Sequence, residues 1–280
     1  MDRLLISPVG GLANRMRAIA SGISLAQNLG VSDVEVAWPV NSDLFCRFEE
    51  LFEDQSQLFR VIDTGPLKDI FLHDIPRKKN LYLANIVQKG RYGSKLTDWD
   101  TLPTLADDPA LMEKTARSIR GTLMIRSGVE YYPFGGRLYR SIFRPLPEIV
   151  AGARDRIQAA PGRRVGMHIR RSDNVASIRH SPVYLFVDAA EKELASDPGT
   201  RLYLATDDRA VKDDFISRFG DRIITSARDA DRNSPAGIRE ALTEMLSLSL
   251  CSKIYGSYWS SFSEASAMLG EVTLETLAVS

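Results

Sequence analysis

Cysteine is nearly absent: Cys46 and Cys251 are too few for a disulfide framework, and their spacing suits no metal site. Reduced thiols in a cytoplasmic protein are therefore expected. An excess of charge of either sign is missing too, since 36 Lys and Arg face 36 Asp and Glu. No global field exists to gather nucleic acid or anionic membrane, so neither is expected as a partner, and any anion site has to be built locally. The apolar run at the N-terminus is too short and has an acid, Asp2, where a signal peptide carries cations; no later run reaches the length of a membrane span. Solenoid-type repeats, a G-x-G-x-x-G fingerprint and a P-loop lysine are also absent.

What is present is a repeating alternation of short apolar runs with amphipathic stretches. Arg3 to Val9 is β-prone, and Leu12, Met16, Ile19, Ile23 and Ala26 recur at helical spacing up to Gly30. Val34 to Trp38 is a second strand candidate, which makes the order a parallel βαβ unit. Between Asn41 and Pro147, FCRFEELF reads as helical, LYLANIV as a strand, PTLADDPALMEKTARSIR as a helix after Pro103, and GTLMIRSG as a strand. Tyr131, Tyr132 and Phe134 are expected to pack rather than line a groove.

From Arg163 the alternation becomes regular. RVGMHI, RLYLAT, RIITS and KIYGS read as strands, each followed by a helical stretch, and their few charges suit strands covered on both faces. At 280 residues the chain is long enough for two α/β lobes, expected at 1–150 and 151–280, with the connection near Pro145 to Pro161.

Ligands of open α/β sheets lie beyond the carboxyl ends of the strands, which directs attention to GGLANR, RRSDN, DD and YWSSFSE. Arg170 and Arg171 are planar forks that match phosphate oxygens and keep their charge, although a surface pair with Asp173 would explain one of them as well. His168 shares a face with Arg170, either as a core histidine or as part of a site. Gly10 and Gly11 let backbone come close to a ligand at a helix N-terminus, and Asn14, Arg15 and Arg17 lie in the first turns of that helix, Asn14 and Arg17 on one face, which a solvated helix face would also account for. Asp207 and Asp208 are open to three roles: a divalent cation, a helix cap, or a hydrogen bond to a ligand amide or ribose. The arginines argue against the metal. Ser260 and Ser261 can cap the last helix and donate to a phosphate, with Glu264 closing a capping box if Ser261 is the N-cap.

GGLANRMRAIASG, MHIRRSD, LATDD and GSYWSSFSEASAMLG together resemble, in order, the four motifs of the fucosyltransferase superfamily, which includes α1,6-, α1,2- and protein O-fucosyltransferases. The resemblance implies a GT-B-like pair of Rossmann-like lobes facing across a cleft, with an acceptor-side N-terminal lobe and a donor-side C-terminal lobe. It implies a metal-independent, inverting glycosyltransferase needing no cofactor, with GDP-fucose as donor and a glycan as acceptor. By that resemblance Arg170 takes the β-phosphate and stabilises departing GDP, Arg171 assists, and Asn14 completes the catalytic set. His168 and Asp208 look like guanosine-contacting positions, and Gly11, Asp207, Glu244, Ser260 and Ser261 join the donor set. Asp173 belongs to the donor set as well, holding an arginine in place.

Some positions depart from the pattern. Asn174 and Ile178 stand where a basic residue and a glutamate are usual in the α1,6 enzymes, and Ala13 replaces a glycine. No general base can be named, though His180 lies close. Two further readings stay open: a nucleotide-sugar-binding or regulatory protein without catalysis, and a transferase of another GDP-hexose.

Overall fold

The computed structural model describes residues 1–62, 64–65, 68–73, 83–98, 100–158, 161–172, 175–228 and 231–279. Two compact units divide the chain, Met1–Arg144 and Pro145–Ser280, and each is built on a five-stranded parallel sheet.

In the first unit β1 (Arg3–Pro8) is central, followed by α1 (Leu12–Leu29) and β2 (Val34–Ala37). β3 (Arg60–Ile62), β4 (Ser94–Thr97) and β5 (Thr122–Ser127) complete a sheet of order β3-β2-β1-β5-β4. Leu4, Leu5 and Ile6 are all buried, which is why β1 reads as an unbroken apolar run rather than an alternating one. α1 lies close over it at Gly22, where a Cβ would come within 2.4 Å of Ile6 Cδ1 and 2.5 Å of Tyr131 Oη. Tyr131 and Tyr132 are buried and Phe134 stacks on Tyr139 with ring centroids 5.7 Å apart, so these aromatics pack as expected.

Three readings of the middle third are corrected. LYLANIV is not a strand: Leu83–Arg91 forms a helix, α2, while Leu81 and Tyr82 lie outside the described residues. A short apolar run does not distinguish the two states, and here burial falls on Ala84 and Gln88, four residues apart on one helical face. FCRFEELF forms a single 3-10 turn, Phe48–Glu50, that leaves Phe45 exposed, while Phe48 and Phe52 pack on each other at 5.1 Å and reach Trp38 at 5.4 Å and Phe143 at 5.3 Å. The long helix after Pro103 is two helices, α3 (Leu102–Ala106) and α4 (Pro109–Ser118). Pro109 pushes Asp108 out of the helical region, to φ −133 and ψ 92, and Asp108 then caps α4 by accepting from the Leu111 N–H at 3.0 Å.

The second unit starts with α5 of the first already closed at Gly136–Ile142, and opens with α6 (Pro147–Gln158). Then follow β6 (Arg164–Ile169), α7 (Val175–His180), α8 (Val183–Ser196), β7 (Arg201–Thr206), α9 (Arg209–Phe219) and β8 (Ile223–Thr225). α10 (Pro235–Ser249), β9 (Lys253–Ser257), α11 (Ser261–Gly270) and β10 (Thr273–Leu277) end it. The expected strands and helices are all found; α7 and β10 were not foreseen. Val165, Met167 and Ile169 point to one layer, against Phe186 of α8 and Phe215 of α9, while Tyr203, Ala205 and Ile254 meet Leu248 of α10 on the other. Strand alternation therefore sends His168 to the α10 and α11 side.

Candidate functional site

The second sheet runs β10-β9-β6-β7-β8, so the chain winds outward from β6 to β8 and then crosses back to β9. β6 and β9 thus flank the point where strand order reverses, and their carboxyl ends are where such a sheet opens a ligand crevice. His168 pairs with Gly256 in that register, and the side chains that follow both strands converge.

Arg170 is held by its backbone on both sides. Its N–H donates to Ser257 Oγ at 3.0 Å, its carbonyl accepts from Ser177 Oγ at 3.4 Å, and Ser257 Oγ donates in turn to the His168 carbonyl at 3.2 Å. Its guanidinium, 20% exposed, has Nε 3.3 Å from Asp207 Oδ2. Asp207 also accepts from the Arg171 N–H at 2.6 Å and from Ser172 Oγ at 2.6 Å. Burial alone would raise its carboxyl pKa, but Ser172, the Arg171 N–H and the Arg170 charge outweigh that and hold it below the usual carboxylate range. Asp207 thus stays anionic and fixes the loop after β6.

Arg171 turns elsewhere. Its Nη1 donates to the Ile178 carbonyl at 3.1 Å and its Nη2 to the Ser181 carbonyl, tying down the end of α7, and burial lowers its pKa. Ser181 Oγ accepts from the Tyr258 N–H at 2.7 Å and donates to the Leu277 carbonyl, so the loops after β6, β9 and β10 are fastened through one residue. Asp173 and Asn174 lie outside the described residues.

His168 is buried and stacks on Phe262, with centroids 4.7 Å apart. Its Nδ1 lies 2.8 Å from Ser263 Oγ and 3.2 Å from Ser260 Oγ. Burial, helped by the Arg170 charge, pushes the imidazole down to about 4, so it is neutral at pH 7. Ser260, not Ser261, is the N-cap of α11, and its hydroxyl faces His168 instead of capping. The capping box expected from Ser261 and Glu264 is therefore not formed; Ser261 is the first helical residue. Asp208 caps α9, its Oδ1 accepting from the N–H groups of Ala210 at 2.8 Å and Val211 at 3.2 Å.

Behind β7 lies a buried polar network around Glu244. Burial and the neighbouring Glu240 charge push the Glu244 carboxyl up to about 7, against Arg156 and Lys212. Glu240 itself is anionic, 2.7 Å from Arg156 and 2.6 Å from Ser226 Oγ. Lys212, buried in α9, donates to the Ser226 carbonyl at 3.3 Å and the Arg228 carbonyl at 2.9 Å.

In the first unit the reversal falls between β1 and β5, and the loop after β1 carries the glycine pair. Gly10 has the left-handed φ of 79, and a Cβ there would come within 2.9 Å of Asn14 Nδ2; Gly11 is extended and has open space around it. The conformational need for glycine is thus at Gly10. Asn14 accepts from Arg17 Nη2 at 2.9 Å, and Arg17 Nε donates to the Gly128 carbonyl at 3.0 Å. Arg15 is no part of a solvated face. It is fully buried, donating to the Gly10 carbonyl at 2.8 Å, the Pro39 carbonyl and Asn41 Oδ1 at 2.9 Å, over the Trp38 ring at 5.2 Å.

No family model and no curated protein sequence matches the chain. Solved structures do. NodZ α-1,6-fucosyltransferase soaked with GDP-fucose superposes with a TM-score of 0.64 at 18% identity, over 96% of this chain and 93% of that one. Arabidopsis thaliana FUT1 in complex with GDP gives 0.64 at 14% identity, over 99% and 70%, and POFUT1 in complex with GDP-fucose gives 0.60 at 11%, over 99% and 99%. The fold is that of the fucosyltransferases. Both five-stranded parallel sheets belong to this likeness.

Within this fucosyltransferase-like fold, Arg170, Asp207, His168 and Ser260 gather at the ends of β6, β7 and β9, with Asp208 next to Asp207 as a cap. Ser177, Ser257, Phe262 and Ser263 were missed by sequence reasoning. Ser257 carried a signal as the last residue of KIYGS at a strand end, and Phe262 and Ser263 lie within the YWSSFSE segment that follows it; Ser177 carried none. Cys46 and Cys251 are both buried and in no disulfide, and no described helix is long and apolar enough to cross a membrane.

Proposed function

We propose that this protein is a metal-independent, inverting glycosyltransferase that moves fucose from GDP-fucose to a glycan or other hydroxyl acceptor, in the cytoplasm. The observation that carries the reading is Arg170, a partly exposed guanidinium fixed at the strand-order reversal by Ser257, Ser177 and Asp207. Glycosyl transfer passes through an oxocarbenium-like state in which the departing diphosphate gains negative charge, and a preorganised guanidinium strengthens its bonds as that charge grows. Ser260 and Ser261 at the start of α11 add hydroxyls and helix N–H groups for the same oxygens. His168, neutral, and Asp208 are assigned to the guanosine, and Gly11, Asn14, Asp207 and Glu244 join the set by resemblance. Solved structures of this fold hold GDP and GDP-fucose, which supports the donor.

Calorimetric titration with GDP in EDTA tests the reading. Micromolar binding by the wild type and a loss of roughly tenfold or more in Arg170→Ala are expected, the worth of a charge-assisted contact. No binding, or equal binding by both, ends it. One observation favours a second reading, binding without transfer: Asp207 and Asp208 are both committed to structural hydrogen bonds, which leaves neither as a base. Release of free GDP from GDP-fucose distinguishes the two.

A further inference from the structure

Trp259, whose ring tilts beside that of Tyr258 with centroids 6.2 Å apart, combines three features that burial does not explain. Its backbone is left-handed, with φ 54, a conformation that strains any side chain bulkier than glycine or asparagine. Its indole is 72% exposed, so no burial in this unit compensates the strain. It also stands between two anchored residues: Tyr258, whose N–H is held by Ser181 Oγ at 2.7 Å, and Ser260, whose hydroxyl lies 3.2 Å from His168 Nδ1. The turn is therefore fixed from both sides, and the ring is presented next to the proposed diphosphate site. Val175 of α7, the helix whose end is bonded to this turn, is 77% exposed as well.

Building on the reading above, we infer that Trp259 is a stacking platform for a pyranose ring, and so a specificity-determining residue. A pyranose has one face of axial C–H bonds that packs on an aromatic face, and indole offers the largest such face with only two side-chain torsions to order. A sugar attached to a diphosphate held by Arg170 and Ser260, or one approaching it as acceptor, supplies the same chemistry. The backbone strain is then the cost of holding the ring in the productive orientation without ligand.

Glycine is the clean truncation, because it takes φ 54 without strain. GDP and GDP-fucose are titrated calorimetrically into wild type, Trp259→Gly and Trp259→Phe, and the three proteins are passed over an immobilised glycan array with and without saturating GDP. Equal GDP affinity in all three is expected, with sugar-dependent affinity falling roughly threefold to tenfold in Trp259→Gly and largely retained in Trp259→Phe. Loss of the GDP-fucose advantage assigns the ring to the donor sugar; loss of array retention assigns it to the acceptor. Unchanged sugar-dependent binding in both arms overturns the platform while leaving the GDP site standing. If GDP fails to bind the wild type, the donor reading falls, and array retention without nucleotide still decides the role of Trp259.

Discussion

His168 and Glu244 titrate in overlapping windows with opposite signs, which makes a measurable prediction. His168 has its pKa lowered from 6.5 to about 4, so the folded state takes up its proton less readily than the unfolded chain does. Its contribution is fully present above pH 6.5 and is lost as pH falls toward 4, at most about 3 kcal/mol. Glu244 is raised from 4.5 to about 7, so the folded state holds its proton longer. Its contribution is present below 4.5 and is lost as pH rises to 7, again at most about 3 kcal/mol. Between pH 4.5 and 6.5 the two slopes cancel. Glu244→Gln removes one of them, and stability should then rise with pH across that window by up to about 1.4 kcal/mol per unit. Urea unfolding of wild type and variant at a series of pH values reads this difference. Histidine Cε1 chemical shifts read the other half directly, since the chain has only three histidines, His73, His168 and His180, and each can be assigned by substitution. A His168 midpoint near 6.5, or parallel stability profiles for the two proteins, would refute the account of the buried site.

Two further substitutions separate structure from ligand binding. Arg171→Met strands the carbonyls of Ile178 and Ser181, so a loss of about 1.5 to 3 kcal/mol and faster amide exchange at α7 and β10 are expected, with GDP affinity falling less than in Arg170→Ala. Arg15→Met leaves the Gly10 and Pro39 carbonyls without the guanidinium and Asn41 Oδ1 with only the Asp43 N–H, and should cost about 3 kcal/mol on thermal unfolding, which Arg15→Lys does not restore because an ammonium lacks the fork.

The second unit was legible because its strands are buried on both faces and its helices on one, so apolar runs and helical spacing alternate without ambiguity. α7 escaped because it is a single short helix of six residues with exposed Val175 and Ile178, held by Arg171 rather than by an apolar stripe. β10 escaped because TLETL is an edge strand whose burial barely alternates. In the first unit, β3 and β4 have only three and four residues, too few to show a period. At the site, residue types at strand ends pointed to Arg170, His168 and Asp207, but which of several roles each takes depended on partners far along the chain. Asp207 is the clearest case: cation, cap and ligand contact were all open, and its bonds to Ser172, Arg171 and Arg170 add a fourth role, holding the loop after β6, that the residue type did not suggest.

The arginine doublet shows why adjacency in sequence misleads about chemistry. Consecutive side chains leave an extended backbone on opposite sides, so two neighbouring guanidinium groups at a strand end cannot easily converge on one phosphate. Arg170 continues the face of His168 and stays beside Asp207. Arg171 leaves on the other side and spends its fork on two carbonyls of one helix end, Ile178 and Ser181. Through Ser181 it also sets the Tyr258 backbone, and with it the turn that carries Trp259 and Ser260. Lysine at 171 would keep the charge but not the planar pair of donors that spans both carbonyls. If the proposed donor site holds, the doublet is one residue for the diphosphate and one that fastens α7, and the two should fail differently: Arg170→Ala through nucleotide affinity, Arg171→Met through the order of α7 and of everything fastened to it.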